Sequence, residues 1–437
     1  MAHKTLINGT AYNITGGKSL VSGTAYNISG GKTMVGGTTY GVSIGGDEYE
    51  IADTAVLYNT GDFVFQNTAS VEEGKTMVGS YKNFFNAIYY GSEGSKNRPW
   101  HSNIGNIINI YAKGEVATTS LHGWFNRALN LQNFNITNFN INIIVNMSMA
   151  FTLCSNLRTS PFCGNNVIDM YSTYDTCSNL TGSPVCGEKV TNMKYTYYNC
   201  SNLTGSPVCG KKVTDMSHAY CGCSKLTGSP VCGNNVTNMS WTYRYCYNLT
   251  GSPVCGEKVT DMYQTYYNCT NLTGSPVCGD NVTNMESAYG NCRNLTGSPV
   301  CGNNVTIMYG AYSNCTNLTG SPICGNKVTR MDYTYYNCRN LTGNAYFYST
   351  KVNNIYKCFY GKLNSKKLNI YVPSGSTTNT TVHYNNTSSL VGANITWTNA
   401  GTYQYNTAYN IYIYPVANVA AAYEANENDA HSGGGGF

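Results

Sequence analysis

Charged side chains are scarce in this chain. Lys, Arg, Asp and Glu make up 11% of its 437 residues, less than half of the usual share of about 25%. The net charge of +5 is spread thinly, and no run of basic residues occurs. Proteins that bind nucleic acid draw their affinity from clustered Lys and Arg. The composition therefore argues against a nucleic-acid partner.

Long apolar runs are also missing. No stretch approaches the 18 or so residues of a membrane-spanning helix, so we predict no membrane insertion. Residues 1–17 contain no apolar run of signal-peptide length. We therefore expect a protein that is made in a cytosol and either stays there or leaves by a route other than a signal peptide.

Motifs of several common enzyme classes are missing as well. The sequence has no HExxH, no Walker loop and no GxGxxG. The six histidines are scattered, and no CxxC pair indicates zinc. A pair of acids suited to glycoside hydrolysis stays an alternative, although Asp and Glu are few and fall at variable positions. We predict no enzymatic activity, no catalytic residue, no metal and no cofactor.

Repetition is what the sequence has in abundance. From about residue 133 to 360 a 23-residue unit recurs, for example VTNMKYTYYNCSNLTGSPVCG from Val190 onward. Its columns of Val, Met, Tyr and Cys include Val190, Met193, Tyr197 and Cys200. Spacings of three, four and three residues predict one apolar face of a short helix. The LTGSPV segment that follows predicts a short strand, which its Pro ends.

These patterns predict a repeat solenoid of the leucine-rich-repeat type, with one short parallel strand and one short helix per 23-residue coil. A single coil cannot bury its apolar face, whereas stacked coils share a continuous core. Regions rich in strands flank the repeats. EYEIADTAVLYN and NIINIYAKGEV before them, and LNIYVP after them, have the composition of strands.

The 19 cysteines follow the same repeat. Most coils carry two of them at fixed places, as at Cys200 and Cys209, so each place forms a column in the stack. Buried free cysteine packs as a small apolar side chain, while regular disulfides would also produce fixed columns. Both interpretations stay open on the sequence.

Three tandem units of 14 residues open the chain, beginning at Lys4, Lys18 and Lys32. Asn-Gly, Ser-Gly and Gly-Gly pairs between β-type runs predict hairpins. A few hairpins cannot bury a core alone, so this arm needs a partner, either further copies of the chain or a larger assembly. The residues expected to mediate assembly are Leu6, Ile7, Tyr12, Ile14, Leu20, Val21, Tyr26, Ile28, Val35 and Tyr40.

The 23-residue unit resembles the BspA-like leucine-rich repeat of bacterial surface proteins, whose units read much like VTNMSYMFYGCSNLTSL. The likeness covers roughly half of the chain, but the GSPVCG segment is shorter and carries Pro and Cys. The resemblance implies an adhesin on a bacterial cell surface, with a concave strand shorter than in the family.

The 14-residue units resemble sequences at the start of bacteriophage virion and tail proteins. A phage protein needs no export signal, because lysis releases it. Together the two resemblances imply a non-enzymatic virion structural protein of the tail, fibre or capsid surface. It would bind other virion proteins through its arm, form a homo-oligomer, and project a repeat body toward a host-surface carbohydrate or protein. A bacterial cell-surface adhesin, exported without a recognisable signal, is the alternative.

Changes of period and composition divide the chain into five predicted parts. They are a hairpin arm (1–46), a small β-rich or mixed capping domain (47–126), the repeat solenoid (127–360), a β-rich C-terminal domain (361–415), and a short helix with a flexible Gly-rich tail (416–437). The capping domain is expected to cover the first coil of the array.

The columns that change between coils indicate the surface. The two residues after each Met and the residue after each framework Tyr vary. They either drift on a solvent-facing side or form a row of exposed aromatics that suits carbohydrate. His218 occupies one of these positions and is interpreted as a surface residue. The predicted ligand contacts are Tyr195, Tyr198, Trp241, Tyr263, Tyr267, Tyr333 and Tyr336.

Overall fold

The structure is a computed structural model with two compact units. Unit 1 comprises residues 1–159 and 164–167, and unit 2 comprises residues 160–163 and 168–437. The five-part division drawn from the sequence stays a prediction. The structure describes residues 52–67, 71–82, 98–352, 357–361, 368–374 and 414–426, together with the backbone of further strands and of a terminal helix.

Unit 1 consists mainly of strands and turns. Its described strands are β1 (His3–Ile7), β2 (Thr10–Ile14), β3 (Lys18–Val21), β4 (Thr24–Asn27), β5 (Val42–Ile44), β6 (Asp47–Tyr49), β7 (Thr54–Tyr58), β8 (Asp62–Gln66), β9 (Met77–Lys82), β10 (Asn109–Ala112) and β11 (Asn133–Phe134). Two short 3₁₀ helices span His101–Asn106 and Ile141–Ile143.

The first six strands pair as hairpins. β1 is antiparallel to β2, β3 to β4 and β5 to β6, which is the pairing expected from the 14-residue units. The side chains of the predicted assembly arm lie outside the described residues. They are those of Leu6, Ile7, Tyr12, Ile14, Leu20, Val21, Tyr26, Ile28, Val35 and Tyr40.

A five-stranded sheet in the order β11-β10-β8-β7-β9 forms the centre of unit 1. β7 pairs antiparallel with β8 and β9, whereas β10 lies parallel to β8 and β11. β7 (TAVLY) is buried along its whole length, as its apolar composition favours. Phe63, Phe65, Trp100, Trp124 and Phe125 pack edge-on or stacked into one aromatic core.

Unit 2 combines a stack of 23-residue coils with a second sheet. Its described strands are β12 (Ile323–Cys324), β13 (Gly343–Phe347), β14 (Leu368–Pro373), β15 (Thr377–Asn379), β16 (Asn394–Thr396), β17 (Tyr403–Asn406) and β18 (Ile411–Val416), followed by helix α1 (Val419–Ser432). The sheet order is β12-β13-β14-β18-β17. In the described part of the chain, no helix has the length and apolarity to cross a membrane.

Each coil of the stack is joined to the next by backbone hydrogen bonds. Parallel bridges link Asp169 to Asn192, Asn192 to Asp215, and so on at intervals of 23 residues as far as Arg330. The Asn or Asp at this position also caps the turn that follows, since Asn192 Oδ1 accepts a hydrogen bond of 3.0 Å from the Lys194 amide. The repeat region is therefore a set of coils in parallel register.

The segment predicted as a short helix is a series of turns instead. The amides of Met193, Tyr195 and Tyr197 donate to carbonyls of the next coil over 2.9–3.1 Å. The amides between them, those of Thr196 and Tyr198, turn back to the carbonyls three residues earlier. An α-helix needs every amide for its own i−4 carbonyl. Because every second amide is used between coils, the helix cannot form.

The predicted apolar face is nevertheless the core. Val190, Met193, Tyr197, Cys200 and their equivalents in the other coils are fully buried. The parallel pairing, however, lies at the VTNM segment and not at LTGSPV, where only Ile323–Cys324 forms a strand. In LTGSPV the chain turns at residues such as Gly228, whose φ is +81°. A Cβ at Gly228 would collide with Ser206 of the preceding coil, which explains the constant Gly.

The framework tyrosines form a continuous column. From Tyr174 to Tyr335 the rings of successive coils stack with centroids 5.3–5.7 Å apart and planes within 1–12° of parallel. The hydroxyl of Tyr243 donates to the Val231 carbonyl over 2.7 Å and accepts from the Val231 amide over 3.0 Å. Each such tyrosine thus pairs two backbone groups that would otherwise be buried without partners.

All 19 cysteines are free, which decides between the two interpretations of the columns. The inner column is buried, and its thiols donate to framework carbonyls, as Cys223 does to Tyr197 over 3.0 Å. The outer column is half-buried along most of its length. Burial raises the pKa of Cys186, Cys209 and Cys232 to about 12. These thiols are packing residues.

Replacing Tyr243 by Phe should lower the free energy of unfolding by about 1–3 kcal/mol, because the amide and carbonyl of Val231 lose their buried partner. Urea unfolding followed by circular dichroism measures the change. Tyr247→Phe is the matched control, since Tyr247 is 43% exposed and should shift stability by less than about 0.5 kcal/mol. Equal effects of the two variants would contradict the role given to the column.

Thiol titration with a disulfide reagent at pH 8 should be slow in the native protein and should detect all 19 thiols in guanidinium chloride. A thiol with a pKa of about 12 is ionised to about one part in ten thousand at pH 8, and only the thiolate reacts. The native rate should rise with pH up to that pKa. A total below 19 after denaturation without reductant would show disulfides instead.

Candidate functional site

The predicted ligand contacts lie in two groups on unit 2. The first group comprises Tyr195, Tyr198, Trp241, Tyr263 and Tyr267. The second comprises Tyr333 and Tyr336. All seven are half-buried, not exposed as predicted. Paired strands lie only about 4.8 Å apart, so rings at equivalent positions of adjacent coils pack on each other.

A row of stacked rings crosses the first four coils of the region. Tyr195 stacks on His218 with centroids 4.3 Å apart and planes at 16°. His218 lies 4.9 Å from Trp241, and Trp241 lies 5.9 Å from Tyr263. The surface histidine expected from the sequence is thus a member of the row, because its column places it between two aromatic side chains.

Arg244 lies beside this row, within an aromatic cage. Its guanidinium carbon is 4.0 Å from the Trp241 ring, 4.3 Å from the Tyr245 ring and 5.6 Å from the Tyr267 ring. One terminal nitrogen donates to the Tyr245 hydroxyl over 2.8 Å. Tyr247, 43% exposed, lies 6.1 Å from Tyr245. Cation–π contacts of this kind contribute about 0.5–2 kcal/mol each.

These residues together are termed the first aromatic cluster. It comprises Tyr195, Tyr198, His218, Trp241, Tyr263, Tyr267, Arg244, Tyr245 and Tyr247. Four of them were not among the predicted contacts, namely His218, Arg244, Tyr245 and Tyr247. Tyr245 could have been found from its column, which carries Asn or Gly in the other coils from Asn199 to Asn337.

The backbone explains why that column favours Asn and Gly. Tyr245 has a φ of +64°, and Asn199 and Asn268, its equivalents, have +54° and +65°. Tyr195 and Trp241, in the column two residues after Met, have +57° and +60°. Bulky side chains rarely adopt this region, at a cost on the order of 1 kcal/mol or more each. The cluster is built at the expense of backbone strain, which often marks functional sites.

The charge of the cluster is positive at neutral pH. Burial, reinforced by the positive charges of Lys194 and Arg244, lowers the pKa of His218 to about 4, so the imidazole stays neutral. Lys194 lies 5.8 Å from the Tyr195 ring centroid. Burial raises the pKa values of Tyr195 and Tyr198. The permanent charges of the cluster and its edge are therefore those of Arg244 and Lys194.

Four buried polar atoms in or beside the cluster have no hydrogen-bond partner within the described part of the chain. They are Ser217 Oγ, His218 Nδ1, Arg244 Nε and Gln264 Oε1. Buried polar groups are normally paired, and each exception needs an explanation. Their concentration on neighbouring coils marks this surface as one that is polar underneath and apolar in its rings.

A second aromatic cluster comprises Tyr309, Tyr333, Tyr336 and Tyr360. Tyr336 stacks on Tyr360 with centroids 5.2 Å apart, and Tyr333 lies 5.7 Å from Tyr309. Arg330 lies 4.4 Å from the Tyr309 ring centroid, but it is paired with the buried Asp332 over 2.7 Å. The equivalent positions between the two clusters carry the small residues Ser287, Gly290, Gly310 and Ser313.

The first cluster has the composition of a binding surface and lacks that of a catalytic centre. Its one histidine has a pKa near 4, far from the value suited to proton transfer at neutral pH. Across the described ranges, no group of three or more His, Cys, Asp or Glu could hold a metal ion. Rings, one free guanidinium and several polar atoms remain, and these bind ligands.

Comparison with protein families gives two matches. Residues 119–229 and 260–371, about half of the chain, match the family described as "Mycoplasma protein of unknown function, DUF285". Residues 218–244 match the description "Kazal-type serine protease inhibitor domain". That second segment is one coil and the start of the next, and its cysteines are free, so it offers no disulfide framework.

Neither curated proteins nor solved structures give a significant match. The double match to one family agrees with the tandem repetition of the sequence and with BspA-like repeats. Neither family description mentions a phage protein, so the likeness of the 14-residue units to virion proteins has no further support here. The extent of the first match identifies the chain as a member of the repeat family of Mycoplasma proteins of unknown function, DUF285.

Proposed function

We propose that this chain is a non-enzymatic binding protein whose repeat stack, a leucine-rich-repeat-like solenoid, presents the first aromatic cluster to a carbohydrate. The observation that carries the proposal is the row of rings from Tyr195 to Tyr263 lying over polar atoms without partners. Sugars offer apolar C–H faces and hydroxyl groups to such a surface.

The dimensions of the cluster support an oligosaccharide over a single sugar. Its rings occupy four neighbouring coils, which at about 4.8 Å per coil gives a row on the order of 15 Å long. Tyr247 at the edge offers an open ring face, whereas the stacked rings offer their edges and polar tips. Several sugar units could therefore contact the row at once.

The setting we propose is a bacteriophage virion, in which the N-terminal hairpins bind other virion proteins or further copies of the chain. The hairpin pairing of β1 to β4 supports it, since isolated hairpins are only marginally stable. A bacterial cell surface is the second setting. It is supported by the likeness of the repeats to BspA-like adhesins and by the family match.

Trp241→Ala should weaken binding to a glycan by at least about tenfold, because it removes the centre of the ring row. Glycan-array screening of the full chain identifies the glycan, and biolayer interferometry measures the affinity. Tyr333→Ala, in the second aromatic cluster, is the matched variant and should bind as the parent does. Loss with Tyr333→Ala but not with Trp241→Ala would move the site to the second cluster. Absence of any glycan binding would refute the proposal.

Immunogold labelling of particles purified from the source culture, with mass spectrometry of the same fraction, tests the setting. Label at one defined place on each particle is expected for a virion protein. Removal of residues 1–46 should then abolish incorporation, because the arm is proposed to attach the chain. Label on cells and none on particles would reject the virion and support the bacterial surface.

A further inference from the structure

Arg244 differs from the other arginines with described contacts, because it has no anionic or carbonyl partner. The ion pairs of the described residues involve Lys75, Lys113 and Arg330. Arg98 donates to three backbone carbonyls. Arg244 donates one hydrogen bond, to the neutral Tyr245 hydroxyl, and its Nε is buried without a partner. A guanidinium has five N–H donors, so most of its hydrogen-bonding capacity is unused.

The acids near the cluster are already engaged. Asp215 accepts a hydrogen bond of 2.8 Å from the Ser217 amide, and Asp261 accepts one of 2.9 Å from the Tyr263 amide. Asp175 accepts from Thr176 over 2.8 Å and lies three coils from Arg244, on the order of 14 Å away. No carboxylate therefore neutralises Arg244, and Lys194 adds a second positive charge at the other end of the ring row.

We propose that the ligand of the first aromatic cluster is an acidic oligosaccharide, whose carboxylate or sulfate group binds the guanidinium of Arg244. The inference rests on the proposed function and names its substrate class. Carboxylate and sulfate oxygens accept paired hydrogen bonds from the guanidinium fork. The cage of Trp241, Tyr245 and Tyr267 holds the fork in place, so little side-chain entropy is lost on binding.

A neutral glycan would leave this arrangement unexplained. It would cover Arg244 without supplying a counter-charge, and burying an unpaired charge is costly. An anionic group pairs with the guanidinium at the point where it is already partly desolvated by three rings. The sugar ring that carries the anion then lies against Tyr247, which is open to solvent and adjoins the cage.

Biolayer interferometry of the full chain with three immobilised saccharides tests the inference. The saccharides are oligogalacturonate, dextran sulfate oligomers and neutral dextran oligomers, so carboxylate and sulfate are distinguished. At least one acidic saccharide should bind about tenfold or more tightly than dextran. Arg244→Gln should lower that affinity to the level of dextran, and Arg244→Lys should restore it only partly, because Lys keeps the charge but loses the fork.

Arg293→Gln is the matched control, since Arg293 is exposed and belongs to neither cluster; it should bind as the parent does. Melting curves confirm folding, and Arg244→Lys keeps the test valid if the Gln variant unfolds. Equal binding of dextran, with no effect of Arg244→Gln, would overturn the inference and leave carbohydrate binding intact. An equal loss with Arg293→Gln would overturn it as an effect of net charge. Absence of binding to every saccharide, on this panel and on the glycan array, would overturn both.

Discussion

The hydrogen bonds between successive coils are the constraint on which unit 2 depends. Every second amide from Met193 to Asn199 is given to a carbonyl about 22 residues later, which fixes the repeat length and the parallel register together. The remaining amides turn back within the coil, so the path must pass through left-handed residues such as Tyr195 and Asn199. The stacking of Tyr, Cys and Met columns follows from this register, because equivalent residues are brought about 4.8 Å apart.

The same register builds the candidate site. A residue that varies between coils is still held in a fixed column, so rings at those positions meet as a row without any dedicated loop. Tyr195, His218 and Trp241 show this directly. The framework thus has two functions in one geometry. Identical residues inside the columns supply the free energy of folding, and different residues in the neighbouring columns supply a surface with a particular sequence of rings and charges.

Much of this was predictable from the sequence, and the exceptions have physical reasons. The period of 23 and the identity of the buried columns could be read from Val190, Met193, Tyr197 and Cys200, because burial follows apolar repetition. The helix was wrong, since spacings of three and four fit consecutive turns as well as a helix. His218 and Arg244 were missed as partners because contacts between coils depend on which residues become neighbours at a distance of 23. Only the Tyr at position 245, in a column of Asn and Gly, signalled a special position.

The column geometry also has an evolutionary consequence. Each coil contributes one residue to every column and bonds mainly to its neighbours, so an in-frame duplication or loss of 23 codons leaves the register of all other coils intact. Recombination between nearly identical units can therefore lengthen, shorten or reorder the row of rings in whole steps. A point mutation in a variable column rewrites one place in that row. The recognition surface can change by both routes while the tyrosine column beneath it stays the same.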